Sequence, residues 1–300
     1  MFPIFFSILF IYLICPSLQK PPPTPQHSGF MSPSVADIVG EGINSWKPSS
    51  RQNIWELSGQ FEGDIMLEAN EIDAKNIIIT EEKRWLNATM AYHIHEDFDE
   101  KEIAIIKKAI TEIEKSSCLK FTEYVEEDED YVMVQNDRPG CWSFAGRQGG
   151  GQVLNLSKKC VQHGVVVHEF LHALGFYHQQ SASDRDQFIK IHWENIKEDH
   201  KHNFKKYTES KVTDLGVSYD YSSIMHYGPY AFSKNEKRTI TTVEKDVKIG
   251  QRKGLSKKDK KKLNKMYNCK YSEDEVESSD TDSDEDYSDY IDDDLIEDLI

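Results

Sequence analysis

Apolar positions along the chain fall into blocks of different length and period. The first block, Phe2 to Cys15, is almost wholly apolar. It is too short to span a bilayer comfortably, and Cys15-Pro16-Ser17 follows it with small residues suited to cleavage, so residues 1–17 read as a secretory signal peptide that lacks the usual basic start. From Lys20 to about Gln60 the chain is rich in Pro, Ser and Gly and reads as a flexible leader without a core. Between Glu100 and Lys115, Ile103, Ile106, Ile110 and Ile113 recur at helical spacing and predict an amphipathic helix. Met90–His95, Leu119–Val125, Tyr131–Gln135 and Gln152–Leu156 are short and rich in β-formers; they predict strands, with Glu126–Asp130 as an acidic turn and Gly149-Gly150-Gly151 ahead of the last. A final helix starts at Ser256, where Asp259 takes the capping-box position usually held by Glu or Gln. Its Leu263, Met266 and Tyr267 face inward, and its lysines form a solvated face. No later stretch is apolar enough to cross a membrane.

Charge changes this picture only at one end. The 300 residues carry a net charge of −16. Residues 271–300 hold 15 Asp or Glu and no Lys or Arg, so the remainder is near neutral and presents no nucleic-acid face. The tail is disordered by composition and reads as a solubilising segment. Of five cysteines one lies in the signal peptide, and Cys118, Cys141, Cys160 and Cys269 remain. They form no C-x-x-C pair, which argues for disulfides in a secreted chain, but four cysteines allow three pairings and spacing does not choose among them. Asn87 and Asn155 open glycosylation sequons. Asn155 falls in a predicted strand and needs an exposed face to be used.

The chemistry concentrates in His168-Glu169-Phe170-Leu171-His172-Ala173-Leu174-Gly175-Phe176-Tyr177-His178, an H-E-x-x-H-x-x-G-x-x-H pattern. His168 and His172 lie one helical turn apart on the same face and can share one zinc ion, with Glu169 beside them. Gly175 tolerates backbone angles that other residues resist, so the chain can leave the helix and return His178 as a third ligand. Three protein ligands leave a position for water, the catalytic rather than the structural arrangement, with one zinc per subunit.

This motif, together with Ser223-Ile224-Met225-His226-Tyr227, resembles the astacin family of zinc metalloendopeptidases within the metzincins. Gly140-Cys141-Trp142-Ser143, Gln179-Gln180-Ser181, Asp184-Arg185-Asp186 and Ile249-Gly250-Gln251-Arg252 extend the likeness, which covers roughly Asn76 to Cys269. It implies an α+β fold of two subdomains: a twisted N-terminal sheet whose edge can pair with an extended substrate, the zinc helix, and a largely irregular C-terminal half. It implies Met225 beneath the zinc, Tyr227 as a zinc ligand at rest and an oxyanion donor in the reaction, and Glu169 as general base. It selects the disulfides Cys118–Cys269 and Cys141–Cys160. Phe61-Glu62-Gly63-Asp64 is similar to the family's pro-segment motif, which would make Asp64 the zinc ligand that keeps a zymogen silent.

The expected organisation is a signal peptide (1–17), a pro-segment (18–75), a single catalytic domain (76–270) and the acidic tail (271–300). Activation is expected at Lys75-Asn76, ahead of the strand-like Ile77-Ile78-Ile79. The implied partners are protein or peptide substrates, without nucleic acid or membrane insertion, and the oligomeric state is open. Two other functions weighed against a secreted endopeptidase are a silent astacin-like binding protein and a matrix- or cation-binding protein acting through its tail; intact Glu169, Tyr227 and histidines speak against the silent form. One departure stands out. The family usually has Glu after the third histidine, linked to the new N-terminus; here Gln179 can hydrogen-bond but cannot ion-pair, which implies tolerance of a ragged mature N-terminus.

Overall fold

A computed structural model of the chain describes residues 20–25, 27, 31–67, 81–208 and 214–270. The expected signal peptide, the Lys75-Asn76 bond with the run after it, and the acidic tail lie outside the described residues. The described residues have an α+β fold. Six strands form one sheet: β1 (Ile65–Met66), β2 (Thr89–Ile94), β3 (Lys120–Glu123), β4 (Tyr131–Gln135), β5 (Cys141–Phe144) and β6 (Gly151–Leu156), in the order β1-β5-β6-β4-β2-β3. The order and directions make the sheet mixed, because β5 runs antiparallel to its neighbour β6 while β1 lies parallel to β5.

The sheet's alternation sorts side chains onto two faces. Val132, Val134, Leu154 and Leu156 enter the main core, whereas Tyr131, Met133 and Val153 belong to smaller clusters on the other face. On the main-core side lie α2 (Glu100–Lys115) and α3 (His163–Ala173), packed on each other. α2 keeps the sequence-predicted bounds, with Asp99 and Glu102 closing a reciprocal capping box at its start. Its Ile106, Ile110 and Ile113 are buried, with Ile103 packed beside them.

The second half carries little regular structure: β7 (Ile189–Ile191) paired with β8 (Ile240–Thr242), several single turns, and α4 (Lys257–Met266). At α4 the short Asp259 serves the capping box: Ser256 Oγ accepts from the Asp259 N–H, and Asp259 accepts from the Ser256 N–H. Two disulfides brace the fold. Cys118–Cys269 ties the end of α4 to the segment after α2, and Cys141–Cys160 joins β5 to the turn ahead of α3.

The leader departs from its sequence reading. Residues 33–45 form α1 (Pro33–Ser45), and Ile54–Leu57 form a 3₁₀ turn. Val39, Ile43, Ile54 and Trp55 join the main core. Pro33 occupies the first helical turn, where it needs no donor, and the polar composition hid the apolar stripe that follows it. This stripe is too sparse to fold alone and is completed by the surface it covers. β5 is likewise a strand that periodicity does not announce, since Cys141-Trp142-Ser143-Phe144 is buried on both faces.

Replacing Cys118 and Cys269 together by Ser should lower the unfolding free energy by about 2–5 kcal/mol, and more than removing Cys141–Cys160, because the first bridge closes much the longer loop. Denaturant melts of the two double variants test this; the reverse order would show that local packing rather than chain entropy governs the bridges.

Candidate active site

α3 is buried from Gly164 to Ala173 and apolar there except for His168, Glu169 and His172. His168 and His172 sit on it with neither accessible to solvent. The helix stops at Ala173, and Gly175 takes φ 105, a left-handed angle in which the Gly175 and Phe176 N–H groups bond back to His172 and Leu171. The reversal brings His178 opposite its two partners. Two of the imidazoles are oriented from outside by backbone: His168 Nδ1 donates to the Ile224 carbonyl at 2.9 Å and His172 Nδ1 to the Phe176 carbonyl at 2.7 Å. A carbonyl only accepts, so these two Nδ1 atoms carry the hydrogens and the Nε2 lone pairs point inward.

Asp64 completes the cluster. Its Oδ2 lies 2.9 Å from His168 Nε2, and its Oδ1 lies 3.3 Å from both His172 Nε2 and His178 Nε2. One ligand atom from each of the four residues falls within 4.8 Å of the others, all buried. Asp64 Oδ1, His172 Nε2 and His178 Nε2 have no hydrogen-bond partner. Three inward lone pairs and a carboxylate with an orphaned oxygen form the donor set of a tetrahedral zinc site, and they fit that ion. Burial alone would raise the Asp64 carboxyl, but the surrounding His178 and His172 outweigh it and hold it well below the usual carboxylate range.

Glu169 is fully buried, with both carboxylate oxygens unpartnered. Burial, reinforced by the charge of Asp64 and opposed by Arg252, pushes it well above the ordinary range, which suits a group that must take up a proton. Tyr227 is also fully buried, and its hydroxyl donates to the Glu62 carbonyl at 2.5 Å. Met225 is buried, and its carbonyl accepts from the Gln179 N–H. The turn around it hangs from α4, because Asp259 accepts from Ser223 Oγ at 2.6 Å and from the Ile224 N–H at 2.9 Å. The capping residue of α4 therefore holds the residue whose carbonyl orients His168.

The segment before Asp64 supplies groups that sequence reasoning missed. Trp55 lies flat over His168 and His178, with ring centroids 5.2 and 5.3 Å away, and Arg252 lies 4.9 Å above its ring. Arg252 also donates to the His226 carbonyl. Glu62 bonds His178, Ser181 and Tyr207. Glu56 accepts from the Asn53 and Phe232 N–H groups. Trp55, a large apolar ring in a Pro- and Ser-rich leader, is a sequence signal that could have found this cover. Gln179, the departure noted above, has its side-chain oxygen bonded by Lys262 of α4.

The two sequons fare differently. Asn87 is exposed in a short turn at φ 53. Asn155 does not meet its condition of an exposed strand face: it is fully buried in β6, and its amide nitrogen donates to the Arg138 and Gly140 carbonyls. Its strand is covered on both faces, and no glycan fits there.

A family model described as Astacin, a peptidase family, matches residues 77–268. The chain belongs to the astacin family of zinc metalloproteinases. Among its relatives, the zinc metalloproteinase nas-13 of Caenorhabditis elegans is 38% identical over 233 residues, which is 78% of this chain and 49% of the relative. Meprin A subunit alpha of Rattus norvegicus is 39% identical over 212 residues, 70% of this chain and 27% of its own. Among solved structures, high choriolytic enzyme 1, a hatching enzyme zinc-protease of the medaka Oryzias latipes, aligns with a TM-score of 0.58 at 36% identity, covering 66% of this chain and 96% of that one. The chain spans about half the length of nas-13.

Burial pushes the Glu56 carboxyl up to about 7 against the hydrogen bonds that oppose it. A carboxyl raised on folding contributes stability that is complete below its unfolded pKa and lost as pH rises through the folded value. The melting temperature of the metal-loaded protein should therefore fall, relative to Glu56→Gln, as pH rises from about 4.5 to about 7, and level off above that. Parallel curves for the two proteins would show that Glu56 does not titrate in this window.

Proposed function

We propose that this astacin is a secreted endopeptidase made as a latent precursor, hydrolysing peptide bonds in proteins or peptides bound in extended form. The observation that carries the reading is the meeting of Asp64 with His168, His172 and His178 in one buried cluster. Residues 18–75 act as the pro-segment, and Asp64, against all three histidines, would hold the place that the reacting water needs. β1 follows it immediately and pairs with β5, so the same segment occupies the free edge of the sheet. Removal of the segment opens both the position and the edge, and a substrate main chain then pairs with β5.

His168, His172 and His178 would hold the zinc ion, which when bound would supply the Lewis acidity that peptide hydrolysis needs. Glu169 takes the proton of the attacking water and passes it to the leaving nitrogen as the new C–O bond forms and the C–N bond breaks. Tyr227, freed from the Glu62 carbonyl, donates a hydrogen bond to the oxyanion of the tetrahedral intermediate. Secretion is supported by the apolar first block and the two disulfides. Among the described residues no helix is long and apolar enough to cross a membrane.

Zinc-loaded protein freed of residues 18–75 should cleave a quenched peptide, and a chelator should abolish this. Glu169→Ala should lower kcat about 10²–10⁴-fold. Tyr227→Phe should lower kcat about 10²-fold with KM little changed. A Glu169→Ala protein with wild-type turnover would remove the base assignment. Asp64→Ala should give an uncleaved precursor that already hydrolyses peptide; a well-folded, zinc-loaded and inert Asp64→Ala precursor contradicts the latency reading.

A further inference from the structure

The three histidines differ in where their outer hydrogen bonds come from. His168 is oriented by the Ile224 carbonyl and His172 by the Phe176 carbonyl, both within the catalytic part of the chain. His178 is oriented by Glu62, whose Oε2 lies 2.9 Å from His178 Nδ1. Glu62 is buried, and its other oxygen accepts from Tyr207 at 2.6 Å and Ser181 at 3.3 Å. Its N–H donates to Asn203 Oδ1 at 3.1 Å, and its carbonyl accepts from Tyr227. Every polar group of this residue is thus engaged around the third ligand.

The backbone is bent to achieve this. Glu62 has φ 50 and Gly63 φ 99, two left-handed residues in succession. A non-glycine residue at such an angle is strained and persists only where its surroundings impose it. The double reversal turns the Glu62 and Asp64 side chains toward one site, so that Asp64 touches the inner face of the histidine cluster and Glu62 the outer face of His178.

We propose that Glu62 is a positioning residue for the zinc site: it supplies the outer carboxylate of His178, so that the latent chain holds zinc more tightly than its Asp64 ligand alone explains. The inference rests on the reading of residues 18–75 as a pro-segment. A carboxylate that accepts from a ligating imidazole fixes the ring and strengthens it as a ligand, and losing such a partner typically weakens metal binding about 10–100-fold. Cleavage of the pro-segment then removes an inner ligand and an outer partner in one event, leaving His178 the least constrained of the three. It also frees the hydroxyls of Ser181 and Tyr207 beside His178 Nδ1.

The test uses the full-length uncleaved precursor at fixed pH, with zinc affinity read by competition with a chromophoric chelator. Glu62→Asn keeps a residue that accepts left-handed angles but is one methylene shorter, so its side chain no longer reaches His178. It should bind zinc about 10-fold more weakly, measured at a temperature where the metal-free melt shows the variant folded. The cobalt-substituted protein should keep the wild-type absorption bands, because the inner ligands are intact. Glu62→Gln retains the reach and one acceptor oxygen without the charge, and should fall between the two. Asp64→Ala should alter the cobalt bands themselves. If Glu62→Asn, or Glu62→Gln should the former not fold, binds zinc as tightly as wild type while Asp64→Ala changes the bands, the role of Glu62 is overturned and the pro-segment reading stands. If neither position affects the metal, both fail.

Discussion

Three imidazole nitrogens turned inward with their lone pairs exposed repel one another, and a buried carboxylate among them adds a negative charge. The cluster of His168, His172, His178 and Asp64 is therefore the most demanding arrangement among the described residues, and a cation at its centre satisfies it. Much of the surrounding structure serves to impose it. α3 sets two of the rings a turn apart, the left-handed Gly175 returns the third, and backbone carbonyls fix two tautomers from behind. The irregular half of the chain contributes through Asp259, which joins the start of α4 to the Met225 turn and so to the carbonyl behind His168. Rigid elements around such a site hold its side chains close to the geometry the ion requires.

The leader is built into this arrangement. Its residues 54–66 supply an aromatic cover in Trp55, an inner oxygen in Asp64, an outer oxygen in Glu62 and a strand on the sheet edge. These contacts lie close together in sequence and share one backbone path, so they form and break together. On the proposed reading, Asp64 is the contact that keeps the precursor silent, and one cut upstream of the catalytic part releases it together with the cover, the outer oxygen and the edge strand. The same coupling accounts for Tyr227, whose hydroxyl is tied to the Glu62 carbonyl while the segment is docked.

Local information in the chain determined a good deal. The bounds of α2, the cap of α4, four strand regions, the H-E-x-x-H pair and the glycine turn follow from periodicity, capping and backbone sterics, which act over a few residues. The disulfide pairs came from family likeness, because spacing leaves three possibilities open. Tertiary structure decided what depends on distant partners. The leader's sparse apolar stripe has no stability of its own and folds only against the catalytic surface. Asn155 reads as a sequon, yet the covered sheet buries it. Asp259 reads as a helix cap, and its second role appears only when the Met225 turn arrives, its Ile224 partner 35 residues away in sequence. Glu62 carries no role of its own in the Phe61–Asp64 motif, and its contact with His178 spans 116 positions of chain. A sequence states which groups a residue carries; whether those groups meet is set by the packing of elements far apart along the chain, because hydrogen bonds and metal ligation are short-ranged and depend on where the fold delivers each atom.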